Sequence, residues 1–176
     1  WQAANERRLI GAEESFAMDV TIAGRNVHLS GKIDRLELTA EGKVVVIDLK
    51  TMKSAPAKDS TQENPQLGLY QLAVREGALN DAIAQFRELP TPDEEITGGA
   101  ELVLLRLTSR GKTTVREQSA LVADEPSSTT WMDELLEEGV AQIASGAFPP
   151  IVTEACTFCD FKTACPTTDE GKGVIA

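Results

Sequence analysis

The sequence predicts a mixed α/β fold, in which a central sheet is flanked by helices and followed by a short cysteine-rich segment. The clearest element is the strand Lys43–Thr51, whose β-branched residues are apolar on both faces, as is typical of a central strand. An apolar pattern with a period of 3.6 residues predicts a helix from Trp131 to about Ala144. The predicted elements run strand, strand, strand, helix, strand, strand, helix, an order that indicates a mixed α/β domain.

The composition indicates a soluble globular protein rather than a disordered, fibrous or membrane-spanning one. The 176 residues are 41% hydrophobic and 26% charged, which is close to the average for soluble domains. No apolar run approaches the roughly 18–20 residues of a membrane helix, so we expect no membrane partner and a cytoplasmic location. The chain begins at Trp1 without an initiator Met, and we expect it to be part of a longer protein.

Turn and breaker residues set the other elements. Residues 1–8 are interpreted as the tail of a helix, Asp19–Ala23 as the first strand, and 27–38 as a second strand whose phase shifts near Asp34, as a bulge would cause. A loop is predicted over 52–64, followed by a helix from Pro65 to about Glu76, a short helix or loop over 80–86 and a loop over 89–99. A buried strand over 102–107 and an antiparallel partner over 113–119 come next. The final helix is capped by Thr130 with Asp133 and ended by Gly146. We expect one core domain, 1–150, with an appended cysteine-rich lobe, 151–176.

The end of the central strand carries charged residues that need an explanation. Asp48 and Lys50 are two residues apart, so their side chains point to the same face of the sheet. Placing a carboxylate and an ammonium group at the end of a valine-rich strand is costly unless they are paired or used in chemistry. Taken alone, the pair is better explained as a strand-end salt bridge.

A second carboxylate favours a functional interpretation. Asp34 lies on the preceding strand, and a hairpin through Glu41 and Gly42 can bring it beside Asp48. Two carboxylates that converge on a sheet suit Mg²⁺ or Mn²⁺, and a neighbouring Lys50 can hold a water molecule. Such a group can perform metal-assisted hydrolysis of a phosphodiester.

The helix that follows supplies two further candidate residues. Gln66 and Tyr70 are four residues apart and therefore share one helix face. Their amide and hydroxyl groups could reach a phosphate or hold Lys50 in place. The alternative interpretation is a polar residue at the start of the helix and a tyrosine in the core.

These residues form three motifs in order, G-x-I-D-R at 31–35, V-x-D-x-K-T at 46–51 and Q-L-x-x-Y at 66–70. The series resembles the PD-(D/E)XK nuclease superfamily, and most of all the RecB-type nuclease domains of bacterial helicase–nucleases that process double-strand breaks. The stretch Ala12–Phe16, which we expect before the first strand, is also similar to that family.

The resemblance implies a restriction-endonuclease-like αβββαβ core and a metal-dependent DNA exonuclease that trims ends in recombinational repair. It implies that Asp34 and Asp48 bind Mg²⁺ or Mn²⁺, that Lys50 is the catalytic lysine, and that Gln66 and Tyr70 are accessory residues. DNA and helicase domains, in the same or another polypeptide, would be the partners. The alternative is an inactive nuclease fold that binds DNA or braces a helicase.

The C-terminal segment contains all three cysteines of the chain, Cys156, Cys159 and Cys165. Their spacing resembles the terminal triplet of AddB-like and CRISPR-adaptation nucleases, which implies three thiolate ligands of a [4Fe–4S] cluster whose fourth cysteine lies elsewhere. Zinc is the alternative metal, and a loop with no metal is the third possibility. The family also has a histidine before the core. The only histidine here, His28, falls in a predicted strand and is interpreted as a strand-face residue.

The formal net charge of −11 argues at first against nucleic acid as a binding partner. The charge is uneven, however: residues 31–58 contain six Lys and Arg against four acids, a net charge of +2, whereas residues 117–161 contain nine acids and no Lys or Arg. We therefore expect weak, salt-sensitive DNA binding through the region of the motifs.

Overall fold

A computed structural model describes residues 6–89, 94–123 and 129–173. The chain forms two compact units, residues 1–137 and residues 138–176. The strands are β1 (Arg8–Ile22), β2 (Arg25–Leu38), β3 (Val44–Lys50), β4 (Thr97–Ser109) and β5 (Lys112–Gln118). The helices are α1 (Lys58–Gln62), α2 (Pro65–Arg75), α3 (Asn80–Ile83) and α4 (Trp131–Ser145). None of the helices described is long and apolar enough to cross a membrane.

The first unit is built on a mixed five-stranded sheet in the order β1-β2-β3-β4-β5. β3 lies in the centre, antiparallel to β2 and parallel to β4, and the remaining pairs are antiparallel. The crossover from β3 to β4 contains α1, α2 and α3. This mixed sheet with flanking helices confirms the predicted α/β fold class.

The valine-rich strand β3 separates two apolar clusters. Val44 and Val46 belong to the main core on one face, together with Leu67 of α2. Val45 and Ile47 point to the other face, where they form a smaller cluster with Val103 of β4. All four β3 residues are buried, as predicted for a central strand.

The parallel pairing of β3 and β4 brings their C-terminal ends to one edge of the sheet. Asp48 is paired with Leu102 and Lys50 with Leu104. The charged end of β3 therefore lies at this edge, with α2 on the same face as Val44 and Val46.

The N-terminal part of the chain differs from the prediction. β1 begins at Arg8, so Asp19–Ala23 is only the end of a 15-residue strand, and Ala12–Phe16 lies inside β1 rather than before it. Arg8 belongs to a strand rather than a helix tail, while residues 1–5 lie outside the described residues. The irregularity expected near Asp34 is also displaced, because the register shift lies in β1 between Leu9 and Gly11, opposite the end of β2. Pairing with β2 explains the long strand, since the polar residues of 12–15 are not a strand pattern by themselves.

The start of β4 was also predicted wrongly. Residues 97–99 belong to the strand, although the two glycines in Thr97–Gly99 predicted a loop. A Cβ atom at Gly98 would lie 3.2 Å from the carbonyl oxygen of Val44, so this glycine permits close pairing with β3. Gly99 has a φ of +97°, a conformation that L side chains rarely adopt.

The predicted ends of α2 and the start of α4 are confirmed. Asn64 caps α2 by accepting a hydrogen bond from the Leu67 amide at 3.1 Å. At the start of α4, Thr130 and Asp133 form the predicted cap: the Thr130 amide donates to Asp133 at 2.9 Å, and the Asp133 amide donates to the Thr130 hydroxyl at 3.4 Å. Arg75, at the end of α2, binds both carboxylate oxygens of Asp133.

The second unit contains the end of α4 and three short 3₁₀ turns at Glu154–Phe158, Lys162–Ala164 and Gly171–Gly173. In the described part of this unit, six large apolar side chains are exposed: Ile143, Phe148, Ile151, Val152, Phe158 and Phe161. Ile143, at 70% exposure, shows that the apolar period of α4 does not produce a buried stripe along the whole helix. The predicted domain boundary at residue 150 stays a prediction.

Candidate active site

Asp34 is held beside β3 by a backbone hydrogen bond. The ladder between β2 and β3 begins at the pair Arg35–Ile47, one residue after Asp34. The Asp34 Oδ2 atom accepts a hydrogen bond of 2.7 Å from the Leu49 amide. The predicted hairpin thus brings the second carboxylate to the end of β3.

Asp48 is the most buried charged residue of this group, at 3% exposure. Burial raises the pKa of its carboxyl group, the Lys50 ammonium lowers that pKa, and the charge of Asp34 raises it. The two carboxylates are neighbours, because Asp34 accepts a hydrogen bond from the amide of Leu49, the residue next to Asp48. Asp48 Oδ2 is buried and accepts no hydrogen bond from the residues that the structure describes, and the Lys50 ammonium lies 2.8 Å from it as an ion pair.

Lys50 connects the carboxylate to helix α2. Its Nζ donates to Asp48 Oδ1 at 3.1 Å and to Gln66 Oε1 at 3.0 Å, and about a third of the side chain is exposed. The strand-end salt bridge is therefore present. The ammonium group has three N–H donors, of which these two hydrogen bonds use two.

Gln66 and Tyr70 extend this series into the core, as their shared helix face predicts. Gln66 Nε2 donates to the Tyr70 hydroxyl at 2.8 Å. An ammonium group can only donate, so the Gln66 oxygen must face Lys50 and its nitrogen must face Tyr70. The four side chains, Asp48, Lys50, Gln66 and Tyr70, form one continuous chain of hydrogen bonds.

A cross-strand pair supports the buried end of that chain. The Phe16 ring packs edge-to-face on Tyr70, with ring centroids 6.1 Å apart. Phe16 is opposite Gly31 in the β1–β2 register, and a Cβ atom at Gly31 would lie 2.8 Å from the Phe16 ring. The glycine of the G-x-I-D-R motif therefore leaves room for the aromatic ring. Sequence reasoning missed this role, for which a glycine inside a strand was the available signal.

Comparison with known proteins identifies the family of the chain. Residues 1–166 match the family model of the PD-(D/E)XK nuclease superfamily. The chain belongs to the PD-(D/E)XK nuclease superfamily. No curated protein matches the sequence. A crystal structure of SSO0001 is similar to the chain, with 15% sequence identity, a TM-score of 0.48 and coverage of 89% of this chain and 59% of that one. The chain thus spans 59% of the length of that solved relative.

The predicted superfamily is confirmed, and nucleases of this superfamily generally use divalent metals. Carboxylate oxygens are hard ligands, and Mg²⁺ in proteins is often held by one or two carboxylates, with water and substrate phosphate completing its coordination. Asp34 and Asp48 fit such a two-carboxylate site, in which the only cation close to the buried Oδ2 of Asp48 among the described residues is the Lys50 ammonium. Among the described residues, no three His, Cys, Asp or Glu side chains lie close enough to hold a metal ion on their own.

The cysteines are a different case. Cys156, Cys159 and Cys165 are free and partly exposed, and within the described part of the chain they do not form a metal-binding group. The hydroxyl of Thr167 lowers the pKa of the Cys165 thiol. The structure thus gives no support to an iron–sulfur cluster or zinc, and both stay predictions. His28 lies on β2 and contacts Asp19 at 2.8 Å, an exposed pair on the strand face.

Proposed function

We propose that this chain is a metal-dependent deoxyribonuclease domain that hydrolyses DNA phosphodiester bonds at the C-terminal edge of β3. The observation that carries the proposal is the buried Asp48 carboxylate, which lies beside Asp34 and Lys50 and keeps one oxygen without a hydrogen bond. Membership of a nuclease superfamily supports DNA as the substrate.

Asp34 and Asp48 would hold Mg²⁺ or Mn²⁺. A bound divalent cation supplies charge stabilisation to the phosphate and makes an attacking water more acidic. Lys50, held beside Asp48 and Gln66, would orient that water through its ammonium group. The chain itself thus supplies two carboxylates for the cation and, next to them, the Lys50 ammonium group as a hydrogen-bond donor.

Gln66 and Tyr70 act as positioning residues. Gln66 fixes the Lys50 ammonium group through its oxygen, and Tyr70 fixes the Gln66 amide. Because Tyr70 is 8% exposed and packs on Phe16, this support rests on the core rather than on a mobile surface group.

The wider context is also part of the proposal. The motif resemblance to RecB- and AddB-type domains supports an exonuclease-type role in double-strand-break repair, with helicase domains as partners. In that setting, Cys156, Cys159 and Cys165 would supply three thiolates to a [4Fe–4S] cluster or to zinc.

The test is a cleavage assay on end-labelled single-stranded and duplex DNA with Mg²⁺, with Mn²⁺ and with a chelator. We expect cleavage only with the metals, and a loss of about 100-fold or more in Asp48→Asn, because a lost charge clamp costs several kcal/mol and each 1.4 kcal/mol is about tenfold in rate. Asp19→Asn, an exposed aspartate of β1, is the matched control and should cleave like the parent. DNA binding with no cleavage in any divalent metal would instead support the inactive alternative.

A further inference from the structure

The β4–β5 hairpin carries a group of basic residues that the proposed chemistry does not use. From Leu102 to Arg116 the chain contains four Lys and Arg residues and no Asp or Glu. The same is true of Leu49–Lys58, which contains three lysines and no acid. In a chain with a net charge of −11, two such stretches at one edge of the sheet call for an explanation.

The register places both stretches next to the candidate active site. Lys50 is paired with Leu104, and the loop after β3 and the distal part of β4 both start from this pair. Arg116 of β5 donates a hydrogen bond of 3.0 Å to the Pro56 carbonyl and ties that loop to the hairpin. The loop and the hairpin therefore flank the end of β3 where Asp48 and Lys50 lie.

The hairpin departs from regular pairing at this point. Leu104 pairs with Thr114, but the next pair is Thr108 with Thr113, so residues 105–107 of β4 form a bulge. Arg106 is the central residue of that bulge and is exposed. Bulges are common beside active sites, where they redirect side chains.

The tip of the hairpin holds two more exposed cations. Ser109 pairs with Lys112, which leaves a two-residue turn of Arg110 and Gly111. Arg110 has a φ of 51°, in a turn position that favours Asn, Asp or Gly. Arginine is therefore not the residue that best stabilises this turn. Its side chain instead exposes a positive charge to solvent at the tip of the hairpin.

The exposed cations of these two stretches have no carboxylate partner among the described residues. In the described parts of the chain, no side chain of the following set forms an ion pair or hydrogen bond: Lys53, Lys58, Arg106, Arg110 and Lys112. By contrast, cations such as Lys32 and Arg75 are paired with carboxylates. Unpaired lysines and arginines concentrated on one surface are the electrostatic footprint of a polyanion site.

We propose that these five residues, which we call the basic rim, bind the phosphate backbone of DNA and hold it across the end of β3. The choice of DNA as the polyanion rests on the proposed function. Lys53 and Lys58 contact the backbone on the side of the β3 loop, and Arg106, Arg110 and Lys112 contact it on the side of the hairpin. Such contacts position the scissile phosphate over Asp34 and Asp48 without reading sequence.

The test compares two double variants that remove one arginine and one lysine each. Arg106→Gln with Lys112→Gln removes two rim charges. Arg8→Gln with Lys43→Gln removes two cations at the opposite end of the sheet, where Arg8 is paired with Leu38 and Lys43 precedes Val44, the first residue of β3. Both are made in the Asp48→Asn background with chelator present, so that binding of labelled duplex DNA is measured without cleavage.

We expect the rim variant to bind duplex DNA about tenfold more weakly, with the slope of log K against log salt reduced by about 1.8, or 0.9 per lost phosphate contact. The control variant should keep the parent affinity and slope, and both variants should keep the parent melting temperature. Equal affinity and slope in the rim and control variants would overturn the proposal, as would tighter binding of the parent to RNA of the same sequence than to DNA.

This experiment separates the basic rim from the proposed function. If the parent chain never cleaves DNA but the rim variant alone loses DNA binding, the nuclease proposal fails and the rim stands. If the parent cleaves with Mg²⁺ and the rim variant binds as well as the parent, the rim fails and the nuclease proposal stands.

Discussion

Asp48 combines deep burial with a charge, an arrangement that costs stability. Burial raises the pKa of its carboxyl group above the ordinary value, and only Lys50 offsets this with a hydrogen bond and an opposite charge. With a raised pKa, the folded state binds the proton more tightly than the unfolded state does, so stability falls as the pH rises through that pKa. An ionised Asp48 therefore destabilises the metal-free fold near neutral pH.

We predict that Asp48→Asn raises the melting temperature of the metal-free protein at neutral pH, because the amide is neutral and can still accept from Lys50. Differential scanning calorimetry with chelator checks this, with Asp19→Asn as the exposed control. In Mg²⁺ the order should reverse if the cation stabilises only the parent. A melting temperature of Asp48→Asn below that of the parent in chelator would refute the burial argument.

At the scale of elements, the contact between β1, β2 and α2 supports the site. Gly31 on β2 leaves space for Phe16 of β1, and the Phe16 ring packs on Tyr70 of α2. A side chain at position 31 would push the ring away and loosen the support of Gln66 and Lys50.

We predict that Gly31→Ala destabilises the protein by about 1–3 kcal/mol, the usual cost of overpacking, and lowers the rate of cleavage. Urea unfolding measures the first effect and the cleavage assay the second. Ser30→Ala, at the exposed neighbouring position, is the control and should be close to neutral. Equal unfolding free energies for the two variants would show that the ring has room to move.

The ion pair between Arg75 of α2 and Asp133 of α4 makes stability depend on pH. Burial alone would raise the pKa of Asp133, but hydrogen bonds from Arg75 and Thr130 outweigh burial and lower it from 3.8 to about 2. A lowered pKa contributes stability that is fully present above the unfolded value and is lost as the pH falls through the folded value.

We predict that Asp133→Asn is less stable than the parent above about pH 4 and that the difference shrinks as the pH falls toward 2. Chemical denaturation at a series of pH values gives the two curves. If the unfolding free energies of the two proteins changed in parallel over that pH interval, protonation of Asp133 would not be linked to folding.

The elements also show how far sequence reasoning reaches. β3, α2 and the start of α4 were predicted because a β-branched run, a proline that opens a helix and a Thr130–Asp133 cap are local signals. β1 was mostly missed, because its polar residues form a strand only through pairing with β2. The approach of Asp34 to Asp48 was predictable from the hairpin, whereas the contact of Phe16 with Tyr70 joins residues too distant in sequence for local patterns.

For the molecule as a whole, the placement of charge matters more than its sum. The net charge is −11, yet the five exposed cations of the basic rim flank the end of β3 that holds Asp48 and Lys50. An acidic protein can therefore bind a polyanion locally, with an affinity that falls steeply as salt is added.

The cysteine segment is tested by metal analysis of protein purified without oxygen. We predict that the chain alone holds no stable [4Fe–4S] cluster, because it contains three thiols and such clusters take four thiolates. Iron and zinc content and the visible absorption spectrum give the answer. A brown protein with four irons per chain would contradict the prediction, and a colourless protein with one zinc would favour the alternative metal.

The central claim is that Asp34 and Asp48 together hold one divalent cation beside Lys50. The most direct measurement is electron paramagnetic resonance of Mn²⁺ titrated into the protein with duplex DNA, in a Lys50→Gln background that keeps both carboxylates but slows cleavage. We predict one bound Mn²⁺ per chain, lost on adding Asp34→Asn or Asp48→Asn and retained on adding Asp19→Asn. Equal Mn²⁺ binding with and without the two carboxylates would contradict a metal site at Asp34 and Asp48.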